Sequence, residues 1–329
     1  MGLQPQKCIR GGRRGLAVNT SYVTPRPLDL FPDAALALGL RALSVARLTS
    51  PIPKVRRSSD NAQADAVADL SDPFASITDN SGITVTSGSS SETALGAFVR
   101  EGSPTSNGRA PTLFDQSGSA INFSQATAGN QPRLYINGAL VTAGGRPALD
   151  FAGNDGNFLA AGSTNLLRNV TGATVWWAGT LRALDFRSIF AIAINSGTLA
   201  RLEIIQLSNG AFRIGGRRLD GDSFLSFNSA GSLYTAGTRC LLVARLNYTA
   251  GTIELRLNGT PIISSAAYHS GGATSDTASG ATRICGTVSA NLALNALFQS
   301  AGVYHSRLSD DETARFEQAL SRYLNIPLA

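Results

Sequence analysis

The chain has 329 residues, 43% of them apolar and 15% charged, against about 25% charged in an ordinary soluble domain. That length holds one large all-β domain or two ordinary ones, with ample apolar material for a core. The net charge of +6 argues against a broadly basic nucleic-acid surface: residues 1–27 hold Lys7, Arg10, Arg13, Arg14 and Arg26 and no acid, which leaves the remainder at +1.

Residues 1–27 therefore read as a basic arm, expected to anchor the chain on a larger assembly and not on nucleic acid. Charge and glycine stand where a secretion signal has its apolar segment, so no signal peptide is expected. Gln6 stands where myristoylation needs Ser or Thr, and no apolar run nears the ~18 residues of a membrane span. In "DAALALGLRALSVARLT", Asp33 to Thr49, apolar residues fall at helical spacing behind a capping Asp, and Pro51 and Pro53 stop the run. That pattern predicts an N-terminal helix. In "PKVRRSSDNAQADAV", Arg56, Arg57, Asp60 and Asp65 are expected to cross-pair and cap turns, as scaffold. Residues 71–112 are rich in Ser, Gly and Thr, yet Ile83, Val85, Leu95, Phe98 and Val99 predict folding onto the body.

From residue 130 the period is two. In "TIELRLNGTPII", Ile253, Leu255 and Leu257 alternate with Glu254, Arg256 and Asn258, which predicts one apolar and one wet face. Asn258-Gly259 then supplies a hairpin turn, and the same dipeptide recurs at Asn107, Asn137 and Asn209. Many short strands with turns between them predict a sandwich or barrel. In "SDDETARFEQALSRYLN", Ser309 and Glu312 form a capping box and Phe316, Leu320, Tyr323 and Leu324 an apolar stripe, which predicts a helix over 309–325 packed on the sandwich. No linker divides the chain. One domain is expected over 28–329, with an irregular front half at 28–130 and the main strands at 131–308.

Little in the sequence carries chemistry. Cys8, Cys240 and Cys285 never form a CxxC, so no zinc site is read. Cys240 and Cys285 lie in apolar runs as small core residues, with a bridge between them left open. "GGRRG" precedes no strand–helix unit and is a flexible basic patch. "DNAQADAVAD" fails the calcium-loop rule because Ala62 occupies a ligand position. Asp150, Asn154 and Asp155 in "DFAGND" have two readings, calcium ligands or turn formers, and no other cofactor is expected. The two histidines, His269 and His305, have no local triad. Glu203 and Glu254 read as outward, solubilising strand residues. Sugar binding without catalysis needs aromatic faces and planar hydrogen-bonding groups. The candidates are Trp176 or Trp177, one of which belongs in the core, with Tyr234, Tyr268 and Arg217.

Several segments resemble concanavalin A-like, laminin-G-like jelly rolls: "GRPALDFAGNDGNFL", "GATVWWAGTL", "RCLLVARLNYTAGTIELRLNGTPII" and "LFQSAGVYHSRLSDDETARFEQAL", in the family's order. "LSVARLTSPIPKVRRSSDNAQADAVAD" followed by "TLFDQSGSAINFSQATAGNQPRL" is similar to the front half of the arabinofuranosidase B catalytic domain. A like front half is common in tailed-phage structural proteins. The resemblance implies an all-β, concanavalin A-like sandwich with one N-terminal and one short C-terminal helix. It also implies, for the enzymes, a vicinal cysteine bridge under the sugar and a carboxylate pair. No two cysteines here are adjacent, and a retaining glycosidase needs two carboxyls about 5 Å apart, one with a raised pKa.

The expectation is a non-enzymatic virion protein of a tailed phage or phage-like particle. Its arm would hold other virion proteins, and its sandwich would face outward to decorate or to touch host-surface polysaccharide. A homo-oligomer is expected, and no membrane contact. The alternatives are an arabinofuranosidase-like hydrolase and a free glycan-binding module or adhesin.

Overall fold

The structure is a computed structural model and describes residues 25–153, 156–164, 166–194, 200–275, 280–286 and 293–329. Strands dominate, as the period of two demands. One antiparallel run takes, in hydrogen-bonded order, Ile83–Ser87, Gln63–Ala66, Pro53–Arg57, Gly108–Leu113, Arg133–Ile136 and Leu149–Ala152. It continues through Asn295–Tyr304, Gly172–Leu181, Arg239–Asn247, Thr252–Leu257 and Thr260–Ala267. A second run takes Phe123–Ser124, Leu159–Thr164, Gly280–Ile284, Arg187–Ile194, Leu202–Gln206, Phe212–Gly216 and Leu225–Asn228. Phe123–Ser124 also pairs with Gly108–Leu113, so the sheet folds over onto itself as a sandwich. Its filling draws on the front half (Leu36, Val55, Phe98) and the main strands (Trp177, Phe212, Phe298) alike.

The central strand Gly172–Leu181 is buried at all ten positions, as a nearly continuous apolar run requires. Alternation sends Trp177 into the sandwich and Trp176 to the outer face, where Trp176 joins a second core under helix α3 (Asp310–Leu324). Trp176 meets Phe316 edge-on at 5.1 Å, and its indole N–H donates to Ser300 Oγ at 3.1 Å. The expected capping box is present, with Ser309 accepting from the Glu312 backbone and Glu312 from that of Ser309. The apolar stripe of α3 is buried.

Three expectations change. The Asp33–Thr49 helix is absent: Ala34–Gly39 is a strand paired with Ser300–Tyr304, followed by a single 3-10 turn at Val45–Arg47. Covered by the sandwich on one side and α3 on the other, "AALALG" is apolar on both faces, a pattern that helical spacing cannot be told from. The helices of the front half are instead α1 (Pro27–Leu30) and α2 (Leu95–Arg100). The expected boundary at residue 27 falls inside packed chain, since Arg26, Pro27 and Leu28 are buried and Leu28 N–H donates to Leu43 O. Finally, the "wet" face of Thr252–Leu257 is covered, with Glu254 buried and Arg256 and Asn258 half-buried. Glu254 is joined to Arg245 at 2.6 Å and Arg256 at 3.3 Å beneath α3.

The turns follow the dipeptides. Asn258-Gly259 and Asn137-Gly138 take positive φ at both residues, as a tight hairpin wants. Gly108 instead opens a strand, where a Cβ would stand 3.1 Å from Tyr135 and Val99.

Candidate functional site

Of the four sugar-binding candidates, two leave the list. Trp176 is fully buried under α3 and offers no face to a ligand. Trp177, its neighbour, is buried as well, so both indoles are core because the strand has a core on each side. Tyr234 is buried on Phe212, and its hydroxyl is consumed by the backbone, accepting from Leu181 N–H at 2.9 Å and donating to Thr238 O.

Tyr268 and Arg217 are brought together. Strand Phe212–Gly216 ends beside Tyr268: a Cβ on Gly216, the residue before Arg217, would stand 2.8 Å from the Tyr268 hydroxyl and strike Arg201 O. Around them gather residues that the sequence reading passed over. Arg201, 1% exposed, donates to Arg218 O and to Asp220 Oδ1, each at 2.6 Å. Arg217 donates to Asp220 O at 2.7 Å. Asp222 accepts the Leu219 N–H at 2.8 Å and stands 3.6 Å from His269 Nδ1. The Tyr268 ring lies 6.1 Å from that of Tyr248 and 4.8 Å from that of His269.

The cluster is unusual in what it leaves unmade. Tyr248 Oη, Tyr268 Oη, His269 Nε2 and Arg218 Nε are buried with no hydrogen-bond partner among the described residues. Burial pushes both tyrosine hydroxyls well above their ordinary pKa, so they stay protonated donors at any physiological pH. Each lost bond at a buried polar atom costs about 1–3 kcal/mol. A chain seldom carries three or four together unless water or a ligand completes them. The signal was there to find in "AAYHSGG" and "RRLDGD", two glycine-bearing loops rich in polar side chains, but only the fold joins them.

Other expected residues resolve differently. Asp150 is 1% exposed and held by Arg133 and Arg182, so its carboxylate is committed to guanidinium and not open to calcium. Asn154 and Asp155 lie outside the described residues, as do Lys7, Arg10, Arg13 and Arg14 of the arm. Arg26, buried, is not free to reach a partner. Cys240 and Cys285 are buried free thiols, not a bridge. No metal-ligating group of three or more forms among the described residues, and no helix there is long and apolar enough to cross a membrane.

Several carboxylates share an arginine. Asp60 and Glu101 share Arg57, Glu254 and Glu317 share Arg256, and Glu254 and Asp310 share Arg245. The displaced acids among the described residues all move down. Arg57 lowers Asp60, Ser90 and then Arg57 lower Glu101, Arg245 lowers Asp310, and Ser309 lowers Glu312. Asp69 goes down despite its burial, through Ser71 and Thr78. A general acid needs the opposite displacement. Glu203 is half-buried on its strand, with Ala191 and Gly215 as its cross-strand neighbours.

This is an all-β fold of the arabinofuranosidase type. No family model and no curated protein matches the chain. Among solved structures it is similar to a GH54 α-L-arabinofuranosidase soaked with a cyclic sulfate inhibitor, with a TM-score of 0.59 and 14% identity. An arabinofuranosidase complexed with arabinofuranosyl-alpha-1,2-xylobiose gives a TM-score of 0.58, also at 14% identity. In both cases 91% of this chain is covered, and the chain spans 65% of the other's length, less than two thirds. At that identity the likeness is one of fold.

Proposed function

We propose that the protein recognises saccharide without cleaving it, as an outward-facing structural component of a tailed phage or phage-like particle. The fold supports saccharide as the ligand class, since the similar enzymes bind arabinofuranosyl sugars in the same architecture. Tyr248 and Tyr268, both buried, and half-buried His269 hold hydrogen-bonding atoms left unfilled among the described residues, which a sugar hydroxyl could complete. The observation that carries the non-hydrolytic reading is the shared arginine: the ion-paired acids on Arg57, Arg245 and Arg256 have a guanidinium between them where a glycosidase needs an open, acidic gap. The particle role rests on the basic arm and on the phage-like character of the front half.

A glycan array probed with the full chain tests the recognition. Selective binding that Tyr268→Phe weakens supports it; a blank array, or binding indifferent to that change, removes it. Deleting residues 1–24, short of the buried Arg26 and Pro27, tests the arm. The shortened chain should stay folded and fail to join particles, and undiminished incorporation would refute the anchoring role.

A further inference from the structure

A second polar feature lies on the first run of the sandwich, in its front half. Strand pairing places Asp150 opposite Arg133, Arg133 opposite Arg109, and Arg109 opposite Arg56. Adjacent strands are about 4.8 Å apart, so three guanidinium side chains stand shoulder to shoulder. Like charges directly opposite one another destabilise a sheet. Arg182 joins from the end of the central strand, with its Nε donating to Asn295 Oδ1 at 2.8 Å.

Four guanidiniums thus stand near one carboxylate, which pairs with two of them. Asp150 accepts from Arg133 at 2.5 Å and from Arg182. Arg56 and Arg109 have no carboxylate within ion-pair distance among the described residues; the ion pairs found there involve neither. Arg56 is buried and fully engaged, donating to Gln131 Oε1, Asn61 Oδ1 and Ala128 O at 2.8, 2.6 and 3.1 Å. Arg109 is different. One of its nitrogens donates to Gly129 O and Gln131 O at 3.1 and 2.8 Å, and the rest of the half-buried fork has no partner. Arg133, its side chain 32% exposed, uses one nitrogen on Asp150.

We infer that Arg109 and Arg133 form an oxyanion seat, flanked by Arg56 and Arg182, which takes the carboxylate or sulfate of an acidic saccharide. Two adjacent planar forks with free N–H groups match a planar or tetrahedral oxyanion, and charge-assisted bonds of this kind are the strong ones. Burial and the neighbouring arginine lower the pKa of both Arg56 and Arg109, the electrostatic tension that a bound anion would relieve. No exposed aromatic ring is among these residues, so the row lacks the stacking platform by which single-stranded nucleic acid is held. That the anion belongs to a sugar rests on the saccharide reading above; the seat itself does not.

The test uses the full chain, titrated calorimetrically with sodium glucuronate, sodium sulfate and, as a neutral control, arabinose. Glucuronate and sulfate should bind and weaken as NaCl rises. Arg109→Gln should reduce their affinity about tenfold, the loss of one charge-assisted contact. Arg109 is the position to change because its partners are two loop carbonyls, whereas Arg133→Gln would leave buried Asp150 short of a partner. Sulfate should also raise the melting temperature of the wild type and not that of Arg109→Gln. Absence of anion binding, anion binding unaffected by Arg109→Gln, or binding of an oligonucleotide without glucuronate would overturn the proposal. Sulfate bound while glucuronate and every arrayed glycan fail would keep the seat and remove the saccharide reading; array binding with no response to either anion would do the opposite.

Discussion

The polar layer beneath α3 and the polar cluster at loops 217–222 and 268–275 bury similar side chains, arginine against carboxylate with aromatic walls, but they are finished differently. Under α3, Arg245 reaches Glu254 and Asp310 at 2.6 Å, Arg256 reaches Glu317 at 2.8 Å, and Arg307 approaches Glu254 at 3.6 Å. Within this network one donor, Arg245 Nε, lacks a partner among the described residues, as does Arg41 Nε over the Tyr323 ring of α3. In the loop cluster four polar atoms lack one: Tyr248 Oη, Tyr268 Oη, His269 Nε2 and Arg218 Nε. Buried polar groups are expensive in both places, and the closed network accounts for itself by fixing a helix to a sheet. The open one has no such account among the described residues. On that contrast rests the proposal of a ligand at the second.

The contrast breaks most visibly at Glu254. Glu254→Ala would leave Arg245 only Asp310 and Arg256 only Glu317, and removing one member of a buried pair costs up to about 3–5 kcal/mol. A urea midpoint close to that of the wild type would show the layer to be ornamental. Tyr268→Phe should move the other way. It removes a hydroxyl that has no partner, so stability should hold within about 1 kcal/mol or rise, while saccharide affinity falls about tenfold, one hydrogen bond's worth. A large loss of stability would mean that the hydroxyl is satisfied and that the cluster is ordinary core.

The smallest effect belongs to the front half. Arg57, and after it the Ala62 N–H, hold Asp60 at about 2, below the ordinary carboxylate range. A depressed carboxyl pKa adds stability that is complete above the unfolded value and is lost as pH falls through the folded one. Denaturation midpoints should therefore decline from about pH 4 toward pH 2, and Asp60→Asn should flatten part of that slope. Asp60 is half exposed, so the change is modest. An unchanged slope would show that the pair contributes nothing.

Much of the architecture could be read from residue order. The period of two, the Asn-Gly turns and the Ser309/Glu312 box lead directly to the strands, hairpins and α3. What the pattern could not say is how many faces of a strand are covered. "AALALG" and "GATVWWAGTL" are apolar on both sides because α3 roofs the sheet, and the same roof turns Glu254 from a surface residue into a buried one. The candidate site was half legible. Tyr268 and Arg217 are there; Trp176 and Tyr234 are not, because burial under a helix and capture by a backbone carbonyl leave no local mark. Arg201, Tyr248 and Asp222 come from three separate segments, and the Arg56–Arg109–Arg133 row becomes visible only once strand register is known.

Incubating the full chain with 4-nitrophenyl α-L-arabinofuranoside is the most direct trial of the idea that this sandwich holds sugar without cutting it. Release of nitrophenol should not exceed the buffer rate across the pH range, even where the array reports binding. Turnover well above background that a single Glu203→Gln change abolishes would contradict it.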